Sequence, residues 1–278
     1  MSLLTYTFES QYLNQNTQVN IILPDKPRGI TPNDFFGSGK KYKVLWLLHG
    51  TYGDYSDWIR RTNIELYATE MNLVVVMPSA LNSNYSNWND YMLGYAMFDY
   101  LTEELMPLVY GWLPVSDKRE DNFIAGLSMG GRGTIKYAVN HPEKFAGAAV
   151  LSAVPMDLET MCVGNPCPML NLEDERTRTT LINAGGVEAF KNSNENVWRI
   201  LDEKAGTGEL PKLMFACGEQ DALLYPLYLK FKKHAEEIGL DAYFFARPGY
   251  RHEWRFWDLS IQEALRYFGL DENGGNPF

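Results

Sequence analysis

The sequence predicts an α/β fold in which a mostly parallel sheet carries helices on both faces, and three observations predict it. Short continuous apolar runs begin after Lys43 and recur along the chain, the pattern of strands covered on both faces. Longer amphipathic stretches separate these runs, the alternation expected of strand, helix, strand units. With 278 residues, 45% apolar and 22% charged, the chain can bury a sizeable core and has ordinary globular usage, which excludes a disordered or fibrous protein.

Two strands come first, Thr5 to Glu9 and Thr17 to Leu23; in the second, Val19, Ile21 and Leu23 alternate with polar neighbours as on a half-buried sheet. Pro24, Pro27, Gly29, Pro32, Gly37 and Gly39 then break the chain into a loop. Buried strands follow at Val44 to Leu48, Leu73 to Met77, Asn122 to Ala125, Gly147 to Leu151, Lys212 to Ala216 and Ala242 to Ala246. Helices fill most of the gaps, at Trp58 to Thr69, Met97 to Val109, Met129 to Asn140, Leu227 to Ile238 and Trp254 to Phe268. Asn140-His141-Pro142 and Gly239 act as stop signals.

Between Pro155 and Pro211 no apolar run resembles a sheet strand. Structureless loops of that length are uncommon in compact domains, so the expectation is a single domain over 1–278 with a helical lid or cap inserted at 155–211. A plain surface excursion is the alternative. An insertion at a strand's C-terminal edge lies where open α/β sheets bind ligands.

Charge narrows the partners. Against 35 acidic residues stand 25 basic ones, a net charge of −10, and no Lys/Arg cluster exceeds a pair. Nucleic acid and anionic membranes need a concentrated positive surface, so neither is expected as a partner. No basic residue precedes Lys26 and no apolar run approaches a bilayer span, which sets cytoplasmic as the expected location. Three cysteines make no disulfide framework or metal spacing. Cys162 and Cys167 flank a turn-rich stretch and read as two free thiols, with a small disulfide loop as the alternative in an oxidising compartment; Cys217 reads as buried and inert.

The chemistry centres on Gly126-Leu127-Ser128-Met129-Gly130, a G-x-S-x-G pattern. It follows the apolar run Phe123-Ile124-Ala125 and opens a helix near Met129, the strand, sharp turn, helix setting of a nucleophile elbow. A serine hydroxyl needs a base, and four histidines are available. His49 suits shaping a loop, His141 sits at a helix end before Pro142 where imidazole caps carbonyls, and His234 lies among Lys and Glu on an expected solvated face. That leaves His252, in a polar turn between the last strand and last helix. A carboxylate must orient the imidazole. Asp221 is chosen, after the strand Lys212 to Ala216, with Glu219 and Asp157 as competitors. The negative oxygen of a tetrahedral intermediate needs two fixed donors: the backbone N–H of Met129 and that of Thr51, in Leu48-His49-Gly50-Thr51. No metal or organic cofactor is required.

At this point the chain resembles the esterase D-like branch of the α/β-hydrolases, which includes short-chain (tributyrin-type) esterases and feruloyl or acetyl-xylan esterases. The likeness rests on Leu47-Leu48-His49-Gly50, Asp57-Trp58 with Arg61-Thr62-Asn63-Ile64-Glu65, Val74-Val75-Val76-Met77-Pro78, Gly126-Leu127-Ser128-Met129-Gly130-Gly131, Cys217-Gly218-Glu219-Gln220-Asp221 and His252-Glu253-Trp254. It runs from the first strands to about Gly269. The resemblance implies an α/β-hydrolase fold, Ser128 as nucleophile, Asp221 as acid, His252 as base, and Thr51 and Met129 at the oxyanion hole. Departure is greatest between Met156 and Pro211, the region that borders the acyl pocket in such enzymes.

The expected partner is therefore a small-molecule or oligosaccharide ester. In the loop Asn82 to Asp90, amides stand beside Tyr85 and Trp88, a combination that suits sugar rings or a phenolic acyl group. Trp58, Trp254 and Trp257 lie beside the oxyanion loop and the base, so Trp58, Tyr85, Trp88 and Trp254 are the candidate pocket side chains. Asp57, Arg61 and Glu65 read as supporting salt links. Two substrate classes remain, cinnamoyl (feruloyl) esters of plant polysaccharides and short-chain acyl esters. Acyl transfer, or hydrolysis of a thioester such as S-formylglutathione, would use the same triad. A non-catalytic binding protein on this fold is the reading from another class, against which stands the presence of all three triad members. Self-association is left open.

Overall fold

The structure, a computed structural model, describes residues 2–157 and 175–270. Ten strands occur among these residues: β1 (Ser2–Ser10), β2 (Gln15–Leu23), β3 (Val44–Leu48), β4 (Val74–Pro78), β5 (Asn87–Trp88), β6 (Tyr95–Ala96), β7 (Asn122–Leu127), β8 (Gly147–Leu151), β9 (Lys212–Gly218) and β10 (Ala242–Arg247). The α-helices are α1 (Pro32–Phe36), α2 (Asp57–Arg61), α3 (Ile64–Glu70), α4 (Met97–Asp99), α5 (Met106–Trp112), α6 (Met129–Asn140), α7 (Glu175–Asn183), α8 (Val187–Lys191), α9 (Val197–Lys204), α10 (Tyr225–Glu237) and α11 (Trp254–Tyr267).

Eight strands form one sheet in the order β1-β2-β4-β3-β7-β8-β9-β10. The hairpin β1-β2 adds to β4 antiparallel, and every other pairing in the sheet is parallel. All five residues of β3 are buried, and they alternate between two cores: Val44, Trp46 and Leu48 face the α6 side, whereas Leu45 and Leu47 face α2, α3 and α11. That two-sided burial is why the strand reads as a continuous apolar run. After β3 the chain steps to one side for β4, then returns to β3's other side for β7. The strand order reverses there, which opens a crevice beyond the carboxyl ends of β3 and β7.

Where the elements depart from expectation, local chemistry accounts for it. The helix expected over Trp58 to Thr69 is two, because Thr62 is extended (φ −138°, ψ 174°) and its Oγ1 donates to the Trp58 carbonyl at 2.6 Å. Asp258 then accepts from the Asn63 N–H at 3.1 Å as α3 begins. The Met97 to Val109 helix runs on to Trp112 but widens into a π-helix over Tyr100–Leu105, where the Met106 N–H reaches back to the Leu101 carbonyl. Pro107 follows, and a proline offers no N–H to the carbonyl four residues earlier. The expected loop after Leu23 contains α1, capped by the Thr31 hydroxyl on the Asp34 N–H at 3.2 Å.

Two histidines also differ. His141 does not cap carbonyls; its ring lies against Phe98 and its Nδ1 is 3.5 Å from Glu143. His234 is not on a solvated face, since it stacks on Trp198 at 4.3 Å and bonds Asp202 at 2.6 Å. Asp202 lies on α9, so this pair docks α9 on α10.

The segment between β8 and β9 includes α7, α8 and α9, while Cys162 and Cys167 lie outside the described residues. Its described part is fastened to the sheet layer by polar contacts: Asn84 to Thr180 at 3.1 Å, Asn183 to the Asn87 carbonyl at 2.9 Å and Asn140 to the Asn194 carbonyl at 3.0 Å. The strongest link is Lys136, on α6 and almost wholly buried, whose Nζ lies 2.6 Å from Glu195 and 2.6 Å from the Ser86 hydroxyl. Burial lowers the Lys136 pKa, opposed by Glu195. Removing one partner of a buried ion pair costs about 3–5 kcal/mol. Because Ser86 and the Asn84 carbonyl still hold the ammonium, Glu195→Ala is expected at the low end, about 3 kcal/mol. Urea denaturation monitored by tryptophan fluorescence reads this loss, and a change under about 0.5 kcal/mol, the level of an exposed pair, would refute it.

Candidate active site

Ser128 sits between β7 and α6 with φ 53° and ψ −116°, a conformation that L-residues rarely hold. Such strain costs about 1–3 kcal/mol and persists only where the surroundings enforce it. Here the Ser128 N–H donates to the Leu151 carbonyl of β8 at 2.8 Å. The turn is closed by glycines: a Cβ on Gly126 would lie 2.5 Å from the Gly130 backbone, and one on Gly130 would lie 2.5 Å from the carbonyl oxygens of Leu48 and His49. A side chain at either position would force the elbow off β3.

The three residues that the sequence singles out, far apart in the chain, come together. Ser128 Oγ is 3.1 Å from His252 Nε2, and His252 Nδ1 is 2.9 Å from Asp221 Oδ2. A carboxylate only accepts, so Nδ1 carries the proton and Nε2 is left to accept from the serine hydroxyl. Asp221 is buried, and its other oxygen accepts from the N–H groups of Leu223 at 3.2 Å and Leu224 at 3.0 Å. Burial pushes the Asp221 carboxyl up, but the His252 hydrogen bond and these amides outweigh it and hold the pKa below its ordinary value. The competitors stand elsewhere: Asp157 pairs with Lys230 at 2.8 Å, and Glu219 is exposed.

The loop after β3 is held from beneath. His49 is buried, its Nε2 accepts from the Ala80 N–H at 2.8 Å, and its Nδ1 therefore donates to the Gly50 carbonyl at 2.7 Å. Burial lowers the His49 pKa and keeps this imidazole neutral. The Tyr85 hydroxyl donates to the His49 carbonyl at 3.0 Å, and Trp58 Nε1 to the Leu48 carbonyl at 3.0 Å. Gly50, Thr51 and Met129 line the cavity over Ser128. Met129 is the first residue of α6, so its N–H has no acceptor within the helix.

The cavity encloses about 440 Å³. Of the candidate pocket side chains only Trp254 lines it. Trp58 and Tyr85 are corrected to core residues: both are fully buried, and their polar atoms hold the Leu48 and His49 carbonyls at the end of β3. Trp88 spends its indole N–H on the Ser83 carbonyl at 2.7 Å and lines an adjoining depression that shares Thr51, Asn84 and Met129 with the cavity. Asp57 and Arg61 do form a salt link, 3.3 Å long, but they line the cavity as well, with the Arg61 guanidinium 5.4 Å from the Trp254 ring centre.

Arg132, Ser152, Leu223 and Leu224 line the cavity without having been singled out from sequence. Arg132 was within reach, standing one helical turn after Ser128. Cys217 is buried at the end of β9, and burial raises its thiol pKa beyond the ordinary range. Among the described residues no cluster of three His, Cys, Asp or Glu side chains could hold a metal ion, and no helix is long and apolar enough to cross a membrane.

Comparison with known proteins fits this geometry. An acetyl esterase of Caldicellulosiruptor saccharolyticus is 28% identical over 274 residues, which cover 96% of this chain and 98% of that protein. Two Staphylococcus aureus structures each cover 96% of this chain and 98% of their own: a fluorophosphonate-binding serine hydrolase (31% identity, TM-score 0.79) and an S-formylglutathione hydrolase (32%, TM-score 0.77). A ferulic acid esterase, at 24% identity and TM-score 0.68, shares the fold. The family model described as "Putative esterase" matches residues 10–213. The chain therefore belongs to the Esterase family and is a serine carboxylic-ester hydrolase of α/β-hydrolase fold.

Proposed function

We propose that Ser128 is the nucleophile, His252 the general base, Asp221 the group that orients it, and the N–H groups of Thr51 and Met129 the oxyanion hole. The hydrogen-bonded sequence from Ser128 Oγ through both nitrogens of His252 to Asp221 carries this reading. His252 takes the hydroxyl proton as Oγ attacks the ester carbonyl carbon, and the electron pair moves to the carbonyl oxygen, which faces the two backbone donors. Collapse of the tetrahedral species breaks the bond to the alcohol oxygen, which leaves with the proton from His252. Water, deprotonated by the same imidazole, then attacks the acyl carbon; collapse breaks the bond to Ser128 Oγ, which takes the proton back from His252 as the carboxylic acid leaves. In this reading α7–α9, bound to the Asn84 to Asn87 loop beside the cavity, act as its cap.

The acyl group in this reading is short. Support comes from two of the relatives above 25% identity, the acetyl esterase and the S-formylglutathione hydrolase, whose names specify acetyl and formyl groups, whereas the ferulic acid esterase is more distant. One observation favours the thioester as a second reading: Arg61 and Arg132 both line the cavity, and cations there suit an anionic leaving group. A panel of p-nitrophenyl acetate, p-nitrophenyl butyrate, methyl ferulate and S-formylglutathione compared by kcat/KM tests both. The expected result is acetate and butyrate above ferulate by about tenfold or more. Ferulate as the best ester overturns the short-acyl reading, and S-formylglutathione above acetate establishes the second.

A further inference from the structure

Ser128 has a counterpart on the neighbouring strand. At the end of β8, Ser152 holds φ 47°, its N–H donates to the Ala216 carbonyl of β9 at 2.7 Å, and it is completely buried. A serine pinned in a rarely occupied conformation, with no part in the chemistry derived above, calls for a reason. Its hydroxyl has one: Trp257 Nε1 donates to Ser152 Oγ at 2.9 Å. The Trp257 ring in turn stands edge to face against His252, with centroids 5.0 Å apart and planes at 88°.

Among the described residues, the hydrogen bonds of the His252 ring run along one line. Asp221 grips Nδ1 and Ser128 faces Nε2, and two hydrogen bonds near the ring plane leave it free to tilt. A side chain packed across the ring removes that freedom, provided the side chain is itself fixed. Trp257 is fixed twice, by the Ser152 hydroxyl and by Trp254, whose ring meets it at 5.1 Å and 86°. Trp254 then meets Trp58 at 5.5 Å, and Trp58 bonds the Leu48 carbonyl. Three tryptophans thus connect the base to the strand end that feeds the oxyanion loop.

We propose that Ser152 and Trp257 form a positioning pair, in which the Ser152 hydroxyl fixes the Trp257 indole and the indole fixes the tilt of the His252 ring. The proposal rests on the assignment of His252 as base. Neither residue touches a reacting atom in this account; both act through His252. Both residues also border the cavity, so the positioning role is read as a loss in kcat that exceeds any change in KM, since misplacement of a catalytic group slows chemistry more than it weakens binding.

The test uses Trp257→Phe, which keeps a ring and deletes the donor, and Ser152→Ala, which deletes the acceptor, with Ser128→Ala run in parallel. Each single variant is expected to lower kcat on p-nitrophenyl acetate by about tenfold with KM within about twofold. The double variant should fall no further than the worse single one, because both substitutions break one unit. The NMR resonance of the His252 Nδ1 proton should be broader in both single variants and in the double variant than in the parent protein, whereas a general loss of stability would leave it unchanged below Tm. Unaltered kcat in both single variants, a multiplied loss in the double, or a rise in KM alone overturns the pair. If Ser128→Ala retains activity, the nucleophile assignment fails instead; if it is inactive while the pair is dispensable, only this proposal fails.

Discussion

Ser128→Ala is expected to lower kcat on p-nitrophenyl acetate by about 10⁴- to 10⁶-fold while leaving the protein folded. The substitution deletes the atom that faces His252 Nε2, at 3.1 Å, and with it the hydroxyl from which the imidazole takes its proton. Its cost to stability is small for two reasons. Alanine and serine tolerate φ 53° about equally badly, so strain is not added, and the N–H to Leu151 bond belongs to the backbone. Thermal melting within about 2 °C of the parent, beside lost turnover, is the expected combination. A fluorophosphonate should label the parent protein at Ser128 and leave the variant unlabelled. Full esterase activity in the variant would falsify the assignment of the nucleophile.

Asp221→Asn is the second large effect, a fall in kcat of about 10⁴-fold. The carboxylate accepts the Nδ1 proton of His252 and so leaves Nε2 bare toward Ser128. An amide in that place has an N–H of its own to offer; when it donates to Nδ1, the imidazole proton moves to Nε2 and the ring loses its ability to take the serine proton. Packing changes little, because asparagine has the same shape and its oxygen can still accept from Leu223 and Leu224. The same residue sets an acid dependence of stability. Its folded pKa lies below the ordinary 3.8, so the ionised carboxyl contributes stability that is fully present above 3.8 and is lost as pH falls through the folded value. Denaturation midpoints of parent and Asp221→Asn should therefore converge as pH drops below 3.8. A gap that stays constant with pH would show that the carboxylate's charge does not stabilise the fold.

Much of this was legible in the sequence because the strands are buried on both faces. Val44–Leu48 and Gly147–Leu151 read correctly to the residue, since a five-residue apolar or small run is too short for a buried helix and fits a strand covered on both faces. The elbow was legible for a related reason: glycines spaced around a serine mark a turn that a Cβ would obstruct. Helix continuity was not. The break at Thr62 depends on a hydroxyl that bonds its own helix and on Asp258 from the far end of the chain, and periodicity sees neither. The short helix after Thr31 did carry its signal, a threonine cap before proline, but the surrounding prolines and glycines hid it. The aromatic side chains near the site were the least legible. Trp58, Tyr85 and Trp88 are adjacent in sequence to the functional loops, yet whether a ring faces a cavity or supports it depends on which carbonyl its polar atom finds.

The amide of Ser128 is held by Leu151 of one adjoining strand, and that of Ser152 by Ala216 of the strand beyond it. The first attachment needs β7 beside β8 and the second needs β8 beside β9, so the two exist together only once three strands have docked side by side in register. Hydrolytic competence is therefore a late acquisition of the refolding chain, and its return reports completion of the sheet rather than the earlier winding of helices.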